Sequence, residues 1–202
     1  MILQPVLVPI PVIEGFSPPQ RVQQQRDHAR RALRHCAELC AAPWGRCGSG
    51  ADARAEVAVK QSPDGAPIPL KGYHWSVSHK RRWACAVIAD HPVGIDIEHV
   101  HPRRGDLFDA VGDDAEWALL GDRSWHSFFR LFTAKEATLK ANGKGIGYLS
   151  ACRLAEVTDD RYVLTKYKDR DWRIEHFEHD GHIAAVTCAD AALSWNVVSL
   201  GE

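Results

Sequence analysis

The stretch VGIDIEHV, residues 93–100, decides how the rest of the chain is read. Val93, Ile95 and Ile97 are strand-favouring residues at every second position, so they share one face of a strand. Gly94, Asp96 and Glu98 share the other. Two carboxylates so spaced lie about 6.6 Å apart along the backbone and point the same way. They can converge on one cation, and without one they repel. A solvent-facing strand with two ordinary acids gives the same pattern.

Upstream, YHWSVSH (73–79) alternates Tyr73, Trp75 and Val77 with His74, Ser76 and Ser78, and Lys80-Arg81-Arg82 turns the chain. WACAVIA (83–89) is apolar throughout, as a strand buried on both faces would be. Asp90-His91-Pro92 then turns it into VGIDIE. Residues 73–98 therefore predict a three-strand meander, whose first and third strands run the same way. That arrangement brings Ser78-His79 to the same edge as Glu98, about 9.6 Å away. A histidine there, beside three cationic residues, can hold a phosphate group; a turn histidine would look the same.

Downstream, residues 124–142 predict a helix ended by Asn142-Gly143. At about 100° per residue, Phe128, Phe129, Phe132 and Leu139 form one apolar stripe, with Glu136 inside it and Lys135 and Lys140 at its edges. An i,i+4 surface pair of Glu136 with Lys140 contributes only a few tenths of a kcal/mol. It does not explain an acid among phenylalanines, where a carboxylate needs a cation or a hydrogen bond. Three carboxylates suit a magnesium ion, which takes oxygen ligands and completes its shell with water and substrate phosphates.

The remaining chain sets bounds. With 202 residues and 45% hydrophobic content it can form one large domain or two small packed lobes. A net charge of −1 gives no global pull toward nucleic acid or membrane. Residues 21–60 hold eight Lys/Arg against four Asp/Glu, and residues 101–122 two against six. That asymmetry suits an anionic ligand on one side, and equally a solvated surface. The six cysteines form no C-x-x-C pair and read as free cytosolic thiols. The start, MILQPVLVPIPVIEGF, is broken by prolines and reads as an edge strand rather than a signal or membrane segment. Ser17-Pro18-Pro19-Gln20 opens a helix through a capping box. That helix carries Arg26, Arg30, Arg31 and Arg34 and ends at Pro43-Gly45. A loop over 46–54 and a strand near 55–60 follow. Short strands are predicted near 152–157, 161–167, 172–178 and 182–188, with Asp180-Gly181 as a tight hairpin.

WSVSH (75–79), VGIDIE (93–98) and FTAKEATLKANGKGIG (132–147), in this order and spacing, resemble the 4′-phosphopantetheinyl transferases of the surfactin-synthetase-activating type. The resemblance implies an α+β fold of two similar lobes, each a small, mainly antiparallel sheet packed with a helix. They would span residues 1–100 and 101–202, with coenzyme A in the cleft between them. It implies a holo-[acyl-carrier-protein] synthase reaction: phosphopantetheine passes from coenzyme A to a serine of an acyl or peptidyl carrier protein, releasing 3′,5′-adenosine bisphosphate. Such carriers serve fatty acid, polyketide or nonribosomal peptide synthesis. Matched residue by residue, Asp96, Glu98 and Glu136 would bind Mg2+, and Glu136 would also be the general base. Lys140 would neutralise or protonate the leaving phosphate. Ser78 and His79 would hold coenzyme A phosphates, Lys135 would position the pyrophosphate, and Arg30 or Arg31 would meet the 3′-phosphate. A cytoplasmic monomer that binds neither nucleic acid nor membrane is expected. Family members often have tryptophan at Phe132, a basic residue at Ala66 and a small hydroxylic residue at Lys80. The alternatives are a non-catalytic coenzyme A or carrier-protein binding module and a magnesium-dependent nucleotide diphosphate hydrolase.

Overall fold

A computed structural model describes residues 2–40, 59–189 and 191–199. The elements in chain order are β1 (Ile2–Leu3), β2 (Val6–Pro9), α1 (Pro18–Leu39), β3 (His74–Lys80), β4 (Trp83–Ala89) and β5 (Ile95–His99). Next come α2 (Leu107–Val111), α3 (Asp114–Leu120), α4 (Trp125–Ala141), a 3-10 turn (Ile146–Ala151) and β6 (Cys152–Val157). The chain closes with β7 (Tyr162–Tyr167), β8 (Arg170–His179), β9 (His182–Thr187), β10 (Ala192–Leu193) and β11 (Asn196–Val197). The fold is α+β with mainly antiparallel sheets. One sheet has the order β11-β2-β4-β3, a second β5-β9-β8-β7-β6, and β1 pairs with β10. The loop and strand expected over 46–60 lie almost wholly outside the described residues. Among those described, no helix is long and apolar enough to cross a membrane.

The unbroken apolar run of β4 has a direct cause. Ala86 and Ile88 pack with Ala32, Leu33, Cys36 and Ala37 of α1. Cys85, Val87 and Ala89 face the other way, into a core shared with Ile95, Ile97, Ala184 and Val186 of the second sheet. Both faces of β4 are therefore dry, and all seven residues are buried. A third core packs α4 against β6 to β9 through Phe128, Phe129, Leu131, Leu139, Val163 and Ile174.

The meander is corrected. β3 and β4 pair as expected, from His74 opposite Ala89 to Lys80 opposite Trp83. β5 leaves that sheet and pairs antiparallel with β9, Asp96 opposite Ala185 and Glu98 opposite Ile183. Pro92, in the turn before β5, has no N–H to contribute to a β4–β5 ladder. Beyond it, Gly94 N–H donates to Thr187 Oγ1 at 2.9 Å, and Ile95 N–H donates to Ser76 Oγ at 3.1 Å. β5 thus lies along the free edge of β3, joined by side chains rather than by a backbone ladder. The expected division at residue 100 does not follow the sheets either. β5 belongs to the second, while β10 and β11 return to pair with β1 and β2. β2, expected at an edge, is flanked by β11 and β4 for the same reason.

Other expectations hold. Ser17 and Gln20 form the capping box of α1. Ser124 caps α4, and Gly143 adopts φ +64° past its end. Asp180 and Gly181 both take positive φ, as the tight β8–β9 hairpin requires.

Candidate active site

The site begins at Gly94. A Cβ there would lie 1.9 Å from Ala137 O and 2.7 Å from Ala141 N. Only glycine lets the backbone of α4 press onto the start of β5. That contact lays the Glu136–Lys140 turn of α4 over the acidic face of β5. It also explains Glu136 within the phenylalanine stripe: the stripe covers the sheet, and the turn that crosses β5 meets Asp96 rather than apolar side chains.

Lys140 Nζ donates to Asp96 Oδ1 at 2.7 Å and to Ile95 O at 3.1 Å. Ser78 Oγ donates to the same Asp96 oxygen at 2.8 Å. Ser78, Asp96 and Lys140 therefore come from β3, β5 and α4 to one point. Asp96 Oδ2 and Glu136 Oε1 are buried with no hydrogen-bond partner. Burial, followed by the charge of Asp96, raises the Glu136 pKa to about 7; Lys140 opposes this and Glu98 adds to it. Burial acts to lower the Lys140 pKa, but the charge and hydrogen bond of Asp96 outweigh it, and the net direction is upward. Glu98 accepts from Lys80 Nζ at 3.0 Å and from Arg103 Nη2 at 2.9 Å.

Two cavities open beside this cluster. One, of about 550 Å³, is lined by Arg26, Arg30, Trp75, Ser78, His79 and Lys140, among others. The second, of about 200 Å³, is lined by Ala66, Pro67, Glu136, Lys140 and Lys144, among others. They share Gly65 and Lys140. The larger one has the cationic lining that an anion with several phosphates needs. Burial, then the charges of Lys140 and Arg26, lower the His79 pKa.

Asp96, Glu136, Lys140, Ser78 and His79 thus gather at one place, with Arg30 on the wall of the larger cavity. Arg31, about 100° further round α1, is not among the residues lining it. Lys135 is a correction. It is fully buried, donates to Val111 O at 2.7 Å and pairs with Glu116 at 2.8 Å. One residue before Glu136 on a helix points elsewhere, here toward α3. Sequence reasoning did not single out Arg26, one turn before Arg30 on the same face; their i,i+4 spacing was the available signal.

Among the described residues, no group of three or more His, Cys, Asp or Glu side chains is arranged to hold a metal ion. Glu98 is drawn to two side-chain cations instead. The donor set nonetheless fits a hard divalent cation: two unpartnered buried carboxylate oxygens, one of them on Glu136, whose pKa burial and then the charge of Asp96 raise, are what such an ion would satisfy.

Residues 92–187, which run from the approach to β5 to the end of β9, match the model of the 4′-phosphopantetheinyl transferase superfamily. The chain is 27% identical over 122 residues to 4′-phosphopantetheinyl transferase psf-1 of Bacillus pumilus, covering 57% of this chain and 52% of that protein. It is 31% identical over 94 residues to 4′-phosphopantetheinyl transferase gsp of Aneurinibacillus migulanus, covering 45% and 40%. With 4′-phosphopantetheinyl transferase Sfp of Bacillus subtilis it shares 30% over 81 residues, covering 38% and 36%. The matches thus span about half, or less, of the length of these relatives. They bear out the resemblance read from the sequence.

Proposed function

We propose that this relative of the 4′-phosphopantetheinyl transferases carries the phosphopantetheine arm of coenzyme A to a serine hydroxyl of an acyl or peptidyl carrier protein. The serine oxygen forms a bond to the phosphorus bearing the pantetheine arm, the diphosphate P–O bond breaks, and 3′,5′-adenosine bisphosphate leaves. One observation carries the reading. Glu136 and Lys140, a turn apart on α4, face Asp96 beside a cavity lined by Arg26, Arg30 and His79.

Each residue has a role suited to its chemistry. Glu136, whose buried carboxylate keeps an unpartnered oxygen, takes the serine proton. Lys140 supplies positive charge, and if needed a proton, to the departing phosphate. Ser78 and His79 orient phosphates from β3, and Arg26 and Arg30 receive the remaining phosphate charge. Asp96, Glu98 and Glu136 would hold a divalent cation, magnesium by donor type. That ion, when bound, neutralises charge on the diphosphate. Phosphoryl transfer of this kind depends on positioning and charge stabilisation more than on covalent help. The proposal includes two lobes built on the two sheets, with coenzyme A in the cleft between them, in a cytoplasmic monomer.

Intact-mass analysis of carrier proteins incubated with the chain, coenzyme A and Mg2+ tests this. A gain equal to phosphopantetheine on the carrier serine, lost with Glu136→Gln, is expected. Release of phosphopantetheine to water would point to a hydrolase. Coenzyme A binding without either product would point to a non-catalytic module.

A further inference from the structure

Of the three acids at the site, two are open and one is closed by the chain itself. Asp96 and Glu136 each keep an unpartnered oxygen. Lys80 Nζ lies 3.0 Å from both Glu98 oxygens, and Arg103 Nη2 donates to Oε2 at 2.9 Å. The two cations are not equivalent. The Arg103 guanidinium lies 4.7 Å over the ring of Phe129, which is fully buried, and this stacking fixes it. Lys80 is the last residue of β3, and its side chain is 34% exposed. Its ammonium sits on a flexible four-carbon stem that can swing into solvent, at the cost of the Glu98 contact.

We propose that Lys80 is an internal counter-ion for Glu98, so that a divalent cation entering the site competes with the Lys80 ammonium for that carboxylate. The inference rests on the proposed cation site and deepens it. Glu98 is buried, and a buried carboxylate with a single partner is costly, so Lys80 stabilises it while the site is unloaded. An arriving cation must replace that contact, which weakens its net affinity. Arg103 stays in place through its ring contact. The displaced ammonium remains at the end of β3, next to Ser78 and His79.

Mn2+ titrated into the full chain, with free Mn2+ read by electron paramagnetic resonance, tests the competition. Lys80→Met keeps the stem and removes the charge, and Lys80→Gln serves if that variant misfolds. The expected result is about tenfold tighter Mn2+ binding, equivalent to about 1.4 kcal/mol. Two controls separate a direct contact from general loss of positive charge. The gain should vanish in a Glu98→Gln background, as in a double-mutant cycle. Arg81→Met, which removes the neighbouring cation, should give less than about a third of the gain. Three results would overturn the inference: no tightening in the Lys80 variants, tightening that survives Glu98→Gln, or no Mn2+ binding to parent and variant alike. Neither coenzyme A nor carrier protein is present. Competition for Mn2+ without any carrier modification would thus defeat the transferase reading and leave this inference standing.

Discussion

Gly94→Ala is the sharpest test of how the fold assembles the site. The added Cβ would stand 1.9 Å from Ala137 O, 2.7 Å from Ala141 N and 2.9 Å from Ala137 C, where ordinary contact begins at 3.4 Å. All three atoms are helix backbone, so no side chain can turn aside. α4 and β5 must separate by about 1.5 Å, at a cost of about 3 kcal/mol. For a chain of this size that corresponds to a fall in melting temperature of roughly 6–12 °C. The same displacement moves Glu136 and Lys140 relative to Asp96, and misplacement of about 1 Å typically lowers a rate on the order of a hundredfold. Gly112→Ala is the control. Its Cβ would meet Leu131 Cδ2 at 2.6 Å and the Trp117 ring at 3.1 Å, both of them side chains. Part of that strain can relax, so its melting temperature should fall by less than half as much. Thermal unfolding and carrier-modification rates read the two effects separately. If the proposed transferase activity holds, a Gly94→Ala protein that melts within about 2 °C of the parent and modifies carrier at the parental rate would refute the claim that this contact positions the Glu136–Lys140 turn.

Three further outcomes follow from the contacts. Burial lowers the His176 pKa to about 3, with Arg130 adding to the effect. The unfolded chain binds this proton first, so stability is present above the ordinary imidazole pKa. It should fall as pH drops from about 6.5 toward 3, by up to about 1.4 kcal/mol per pH unit; denaturant melts of parent and His176→Gln should differ in slope over that window. Lys135→Met leaves Glu116 buried with a weaker partner and should destabilise by about 3–5 kcal/mol. Coenzyme A affinity of the folded fraction, measured calorimetrically, should change by less than about twofold, because Lys135 stabilises the α3–α4 contact rather than the cavity. Arg26→Ala and Arg30→Ala should each weaken coenzyme A binding by about tenfold, more at low salt, and Arg31→Ala by less than about threefold.

Much of this architecture could be read from residue order. Alternation in 75–79 and 93–98, the full burial signalled by WACAVIA, the caps at Ser17 and Asn142-Gly143 and the Asp180-Gly181 hairpin are local statements, and local sterics enforce them. The route of β5 was not legible. An Ile-x-Ile face pairs equally well with β4 or β9, and the choice depends on Thr187 and Ser76, distant in sequence, which take the Gly94 and Ile95 N–H groups. The acid face of β5 and the intrusion of Glu136 into the stripe were visible as violations of ordinary burial. The fate of Lys135 was not, because its partner Glu116 lies on a separate short helix. The pairing of Glu98 with Arg103 depends on how the segment after β5 folds back, which no periodicity reveals.

The most direct test of the central claim is a crystal structure with coenzyme A and Mn2+, located by its anomalous signal. The expected result is one Mn2+ touching the diphosphate and carboxylate oxygens of Asp96, Glu98 and Glu136, with the nucleotide between Arg26, Arg30 and His79. A Mn2+ bound away from Asp96 and Glu136, or a diphosphate lying outside the cavity that Lys140 lines, would contradict it.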